Sequence, residues 1–463
     1  MDLAEYIIDQ AFTLGASYAG ILRYKMNSSM ITAENGALKS YISGETSGLG
    51  IRVIVDGVLG IASSTTLNRE TLRQRVEYAV KMAKVSGDRI ERTQFSNTNI
   101  VKASSRSPVK KLPNSISAKD KIAITIDANK SSMLEGVKNS VTRLAWLSER
   151  RVFKSSEGAD VDNELTMTGL SQSCISSFHG NMEYVSDSKS QCAGFEFISQ
   201  TDWCRFSKEI SEASLKAVKA RVPKAGIYKV VADSDLVGLI LHEAFGHASE
   251  ADLVTTGESI LDGSLCKEVS SSLVTIIDDG AVEDGYFLLY DDEGVVKKRQ
   301  TVVEKGVLRG LLHSRETAYK MGTTSTGNAR VQSFGNKPLV RQTNLFMKAG
   351  NQEFEELIED IDDGLYICGR GSMGGEVDVG LGTFTFRAGP SYFIRKGEVD
   401  TMVRGVSISG MILETLKNVD AVGKYVIIRT SIFGGCGKGD QLTRVGHGGP
   451  HIRIGKVAVG GGT

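Results

Sequence analysis

The segment His242-Glu243-Ala244-Phe245-Gly246-His247 restricts the backbone around it more tightly than any other stretch of the chain. Two histidines, with a glutamate directly after the first, are the parts of a metal site with a general base, but the spacing is HExxxH and not HExxH. A regular α-helix advances about 100° per residue, which sets the histidines of HExxH about 40° apart and those of HExxxH about 140° apart. At the wider angle the two rings cannot grip one ion. A π-type turn, closing i→i+5, brings residues 242 and 247 back into line, and such bulges favour functional sites. Gly246 stands just before His247 and is expected to absorb the irregular backbone, since it has no Cβ.

Two histidines do not complete a catalytic zinc site, which takes three protein ligands and leaves one position open. His313 falls in a predicted strand and reads as structural. His447 and His451, in the glycine-rich tail, qualify on chemistry alone. Cys436 is the sharper choice, because Gly434-Gly435-Cys436-Gly437-Lys438-Gly439 holds a thiol in a loop stripped of bulk. A thiolate beside a metal and a lysine is deprotonated at neutral pH. Among common metals, a His₂Cys set favours Zn2+.

At 463 residues the chain exceeds the usual size of one core. Two domains are expected: 1–222, with a subdivision near 86–115 as an option, and 223–463, with Pro223 marking the boundary. Lys plus Arg equals Asp plus Glu, 55 each, so no global field steers the chain towards nucleic acid or a membrane surface. The longest apolar runs, such as Leu236 to Leu241, are too short to cross a bilayer. The acidic, amphipathic amino terminus is unlike a secretory signal. Six cysteines without paired spacing form no disulfide framework, which points to a reducing, cytoplasmic location. Glycine numbers 51 against 6 prolines and crowds the second half without a triplet repeat, implying many tight β-turns and close backbone approaches.

Periodicity predicts a helix over 2–14, strands over 18–24 and 29–41, and a hairpin over 48–62 turning at Asp56-Gly57. A second helix is expected from Asn68 to about Val85. Residues 86–115 read as a solvated linker with a small basic cluster (Lys102, Arg106, Lys110, Lys111). A helix over 117–132, strands over 141–156 and 164–198, and a helix over 207–220 complete the first half. Beyond Pro223, a strand over 226–232 leads into Asp233-Ser234-Asp235, good N-cap material for a largely buried helix ending at the histidines. From about 270 the chain alternates short strands (273–277, 286–290, 299–313, 392–408) and turns. The fold class is therefore α+β: an N-terminal domain of helices on an antiparallel sheet, then a β-rich, barrel- or sandwich-like domain carrying one metal-binding helix.

The chain resembles the TldD/PmbA peptidases, specifically the metal-bearing TldD type. The likeness rests on HEAFGHASEAD (242–252), on Pro338-Leu-Val-Arg341-Gln-Thr-Asn344, and on Gly364-Leu-Tyr366 leading to Gly374-Gly375-Glu376-Val-Asp378. It continues through Gly405-Val-Ser-Ile-Ser-Gly410 and Cys436-Gly437-Lys438-Gly439-Asp440-Gln441, in order along the whole second half. The resemblance implies His242, His247 and Cys436 as metal ligands and Glu243 as general base. It also implies unfolded or small modified peptides as substrates, and a dimer, formed either with a metal-free PmbA/TldE-like subunit or with a second copy. Arg330, in a stretch similar to one of the family's, is a candidate substrate or oxyanion contact, with an internal salt bridge as the other reading.

Glu250 and Asp252 are candidate acceptors for the N–H of a ligating histidine; as surface acids they would merely end the helix. The other cysteines read as buried small hydrophobes. The GGCGKG loop lacks P-loop spacing, and glycine follows its lysine. The expected activity is hydrolysis of peptides by a metal-activated water, with Glu243 taking the proton. The competing expectation is a peptide-binding or regulatory subunit with a structural metal, which a fourth ligand from Glu250 or Asp252 would signal.

Overall fold

The computed structural model describes residues 2–86, 92–371 and 374–461. The first half alternates α1 (Leu3–Thr13), β1 (Tyr18–Glu34), β2 (Ala37–Val55), β3 (Val58–Ser64), α2 (Arg69–Ser86) and β4 (Lys102–Arg106). It continues with α3 (Ala118–Ser131), β5 (Val137–Ser155), β6 (Asp160–Phe178), β7 (Asn181–Gln191), α4 (Phe195–Gln200) and α5 (Trp203–Ala217). Its seven strands form one sheet in the order β3-β2-β1-β5-β6-β4, with β7 also pairing β6. Only the β4–β6 pairing is parallel.

Apolar faces explain which helix lies where. Ile7 and Ala11 of α1 and Leu72, Val76, Ala79 and Val80 of α2 bury against Leu49, Ile51 and Val53 of β2. Phe206 and Ile210 of α5 pack with Leu144, Trp146 and Leu170 of β5 and β6. Ser117 and Asp202 cap α3 and α5 by accepting backbone N–H groups, as short polar side chains do.

Several expected boundaries shift. The strand expected over 29–41 is broken by Asn35-Gly36, both at positive φ, and this turn makes β1 and β2 a hairpin of its own. The stretch 164–198 is likewise folded back at His179-Gly180 and ends in α4. The expected linker contains β4, and part of it, 87–91, lies outside the described residues. Because β1 pairs with both β2 and β5, one sheet joins the chain on either side of it. Tyr286–Tyr290 forms no strand beyond a single bridge from Tyr290 to Val296.

In the second half, β8 (Gly226–Ala232) lies inside a nine-stranded mixed sheet, between Ile452–Gly461 and Asp363–Ile367. A six-stranded sheet runs in the order Val307–Leu308, Gln300–Glu304, Ile276–Asp278, Asn344–Met347, Gly446–Gly449, Ile427–Thr430. Between the sheets runs α6 (Ser234–Leu239), continued by the histidine segment. Leu236, Val237, Ile240, Leu241, Ala244 and Phe245 touch one core with Val230, Phe386, Ile408 and Ile454 of the larger sheet and Ile276, Leu345 and Met347 of the smaller. A helix apolar on nearly every face can only be buried. The half is sandwich-like, with the helix as its filling.

Candidate metal centre

Asp233 starts α6 by accepting the N–H of Leu236 at 2.8 Å. After one and a half turns the helix widens into a π-helix over Ile240–Gly246, followed by a 3-10 turn, His247–Ser249. The widening answers the spacing problem: residues five apart now lie one above the other. Gly246 plays a different part from the one expected. Its backbone is ordinary right-handed helix, φ −61° and ψ −50°, which any residue adopts. What a side chain would meet is Gln342: a Cβ at 246 would stand 2.3 Å from its Oε1. That close approach lets Gln342 Nε2 donate to the His242 carbonyl at 2.8 Å.

One ligand atom from each of His242, His247 and Cys436 falls within 4.8 Å of the others, and all three residues are buried. Cys436 arrives on a two-stranded ribbon, Cys436–Lys438 with Gln441–Thr443. Its Sγ lies 3.0 Å from His247 Nε2. On the far side of that ring, Nδ1 is 3.0 Å from Glu250 Oε2. A carboxylate only accepts, so Nδ1 carries the proton and Nε2 presents its lone pair to the cluster. Burial alone would raise the Glu250 carboxyl, but His247 and Lys438 outweigh it and hold the group at about 2. Glu243 is the open side of the site. Its carboxylate oxygens lie 3.9 Å from His242 Nε2 and 4.0 Å from His247 Nε2, with its side chain 40% exposed. Burial pushes it above the usual carboxylate range, towards a better proton acceptor.

The residues fit a metal dication. Burial works against charge on His247, yet Glu250 and Cys436 outweigh it and push the ring up to about 10; the cage favours positive charge. Burial and the neighbouring His247 and His447 keep His242 neutral, far below its ordinary value, as a ligand must be. Its Nδ1 is buried with no hydrogen-bond partner among the described residues. The donor set, two imidazoles and a thiol, suits zinc.

The acids expected to support the histidines divide the work. Glu250 orients His247 and accepts Lys438 Nζ at 2.8 Å and the Gln342 N–H at 3.3 Å. Asp252 touches neither histidine; it binds Lys438 at 2.6 Å and the Val340 N–H at 3.3 Å. Both are thus engaged away from the cluster, and the group of clustered ligand atoms among the described residues is His242, His247 and Cys436. Lys438 is thus held by carboxylates rather than set against the thiol. Arg330 is buried, donating to the carbonyls of Gln342 and Arg444 with its guanidinium over the Tyr286 ring. It braces backbone, and among the described residues it makes no salt bridge.

Three supports escaped the reading of the sequence. Arg341, fully buried, donates to the Cys436 carbonyl and, at 3.3 Å, to that of Gln441, fixing the cysteine ribbon to the helix layer. Gln342 and Lys438 do the same from either side. Arg341 and Gln342 stood in the Pro338–Asn344 stretch, and that adjacency was the only signal. Of the two tail histidines that qualified on chemistry alone, His447 lies against His242 with ring centroids 5.5 Å apart, while His451 bonds the Tyr366 hydroxyl at 3.1 Å.

The sequence model of the PmbA/TldA metallopeptidase C-terminal domain matches residues 225–461, and that of domain 1 matches residues 20–83. A protein named metalloprotease from Methanothermobacter thermautotrophicus is 37% identical, over 96% of this chain and 95% of its own. A zinc metalloprotease TldD homolog from Saccharolobus solfataricus is 28% identical over 98% and 99%. Among solved structures, TldE from Thermococcus kodakarensis superposes with a TM-score of 0.81 at 18% identity, covering 99% of this chain and 100% of that one. A putative modulator of a DNA gyrase from Thermotoga maritima gives 0.82 at 21%, covering 99% of each; these two likenesses speak to the fold. The chain belongs to the TldD/PmbA family of metallopeptidases.

Proposed function

We propose that this chain is a zinc-dependent peptidase of the metal-bearing TldD type, with Glu243 as its general base. The convergence of His242, His247 and Cys436 within 4.8 Å, beside a partly exposed glutamate, carries the reading. Zinc bound by those three residues would supply Lewis acidity towards a peptide carbonyl and an acidified water. Glu243 takes the proton of the attacking water and returns it to the departing amine. Glu250 and Lys438 keep His247 in its ligating tautomer. Gln342 and Arg341 hold helix and cysteine ribbon in register.

Peptides are the substrates this geometry supports. Ile427–Thr430 is the last strand of the six-stranded sheet, one strand from His447. An extended, unfolded or small modified peptide can pair with such an edge whatever its sequence. The TldE name among the structural neighbours supports a dimer with a TldE-like subunit, a homodimer being the other assembly. Zero net charge speaks against nucleic acid as a partner. No helix among the described residues is long and apolar enough to cross a membrane, in keeping with a cytoplasmic site of action.

The test is zinc content together with cleavage of an unstructured peptide, with and without chelator. Glu243→Gln should lose turnover and keep its zinc; an active Glu243→Gln enzyme removes the glutamate from the chemistry. Cys436→Ser should lose most of its zinc, and full occupancy in that variant removes the thiol from the ligand set.

A further inference from the structure

We propose that a cleft beside the metal centre binds a carboxylate of the substrate through Arg143, Arg370 and Arg429, three to four residues from the scissile bond. This rests on the peptidase reading above. The cleft, of about 390 Å³, lies between the first-half sheet, which contributes Arg143 and Asp187, and the Ile427–Thr430 edge strand with α6. His447 lines it at the metal end, and the strand register pairs His447 with Arg429. A peptide laid along that edge strand therefore passes the guanidiniums on its way to Glu243.

The charges in the cleft do not balance. Arg429 Nε lies 2.8 Å from Asp235 Oδ1, and its Nη1 lies 3.5 Å from Asp187 Oδ1. Arg370 Nε is 2.8 Å from Asp187 Oδ2, yet that nitrogen makes no hydrogen bond among the described residues, and the guanidinium lies over the Phe206 ring, 6.0 Å from its centroid. Arg143 makes no ion pair or hydrogen bond among the described residues, and it is exposed. Among the residues that line the cleft three cations thus face two carboxylates, with Glu34 outside it acting on Arg143 at longer range. Both paired arginines keep over a third of their side-chain surface open. A guanidinium presents parallel N–H groups that match a carboxylate better than any other common peptide group.

The helix gives the distance. Asp235 precedes Glu243 by eight residues, roughly 11 Å at about 1.5 Å per residue or slightly less in the π segment. An extended peptide rises about 3.3 Å per residue, so the arginines meet its third or fourth residue from the cut bond. The carboxylate is either the C-terminus of a short peptide or an Asp or Glu side chain within a longer one.

Zinc-loaded Glu243→Gln protein, titrated with fluorescently labelled unstructured peptides, reads binding apart from turnover; the wild type reads kcat/KM on the same peptides. Each peptide is made with a C-terminal acid or amide, and with Glu or Gln placed two to five residues from the cleavage site. Losing the recognised carboxylate should weaken both readouts about tenfold, the scale of one charge-assisted hydrogen bond. Loss on amidation identifies the C-terminus as the source; loss on Glu to Gln identifies a side chain. Arg143→Gln and Arg429→Gln should erase the difference, and Arg143→Glu should turn the preference towards Lys. Cleavage indifferent to both carboxylates overturns the subsite and leaves the peptidase standing. Charge-dependent binding without cleavage does the reverse, and absence of any binding overturns both.

Discussion

Gly246→Ala separates two explanations of the glycine in HExxxH. If the π-helix needed a backbone only glycine adopts, any side chain would strain it and no change elsewhere would help. The structure assigns the need to space: the backbone is helical, and the added methyl would press on Gln342 at 2.3 Å. Overpacking of this kind costs about 1–3 kcal/mol. Displacing Gln342 also breaks its hydrogen bond to the His242 carbonyl, a further cost of about 0.5–1.5 kcal/mol. Alanine's helix preference returns about 1 kcal/mol, leaving a net loss of about 0.5–3.5 kcal/mol. Gln342→Ala alone should cost about 0.5–1.5 kcal/mol through the same lost hydrogen bond. The double variant should be no less stable than Gln342→Ala, because the space is then empty. The cycle is read by urea unfolding of all four proteins, with zinc retention as a second measure of the histidine pair. A Gly246→Ala protein as stable as the wild type, or a double variant whose losses simply add, would refute the steric account and return the glycine to the backbone.

Lys438→Met should leave Glu250 and Asp252 facing each other without their shared cation, destabilising the fold by about 3–5 kcal/mol and weakening zinc binding about 10–100-fold. Competition against a zinc chelator checks it, and unchanged affinity would deny Lys438 any part in orienting His247. His313 gives a pH signature from a ring that is not among the clustered ligands. Burial holds its ring down to about 4 against an ordinary 6.5. The unfolded chain therefore binds a proton below 6.5 that the folded chain refuses until about 4. This contribution is fully present above 6.5 and is lost as pH falls from there towards 4, worth about 3 kcal/mol at about 1.4 kcal/mol per unit. His313→Gln should flatten that part of the stability curve; an unaltered slope between the two values would show that the ring is not the titrating group.

What the sequence revealed and what it hid divide along chain separation. Elements set by neighbours were legible: α6 from Asp233 and the stripe after it, and the hairpin at Asp56-Gly57, where both residues take positive φ. Asn35-Gly36 is as strong a turn signal, and a single strand over 29–41 is incompatible with it. The π-helix was legible because His242 and His247 must share one ion. The supports of the site were not. Lys438 meets Glu250 across 188 positions, and Arg341 reaches the Cys436 carbonyl across 95. No local pattern encodes either contact, because a buried lysine or arginine looks like a surface one until the opposing chain is in place. Cys436 stood out by its bulk-free loop, but that loop names no partner, and the family likeness was what tied it to the two histidines. The ligand types of such a centre are therefore written locally in HExxxH, while its geometry is written in Arg341, Gln342 and Lys438. A change in those three should alter metal affinity while leaving the motif untouched.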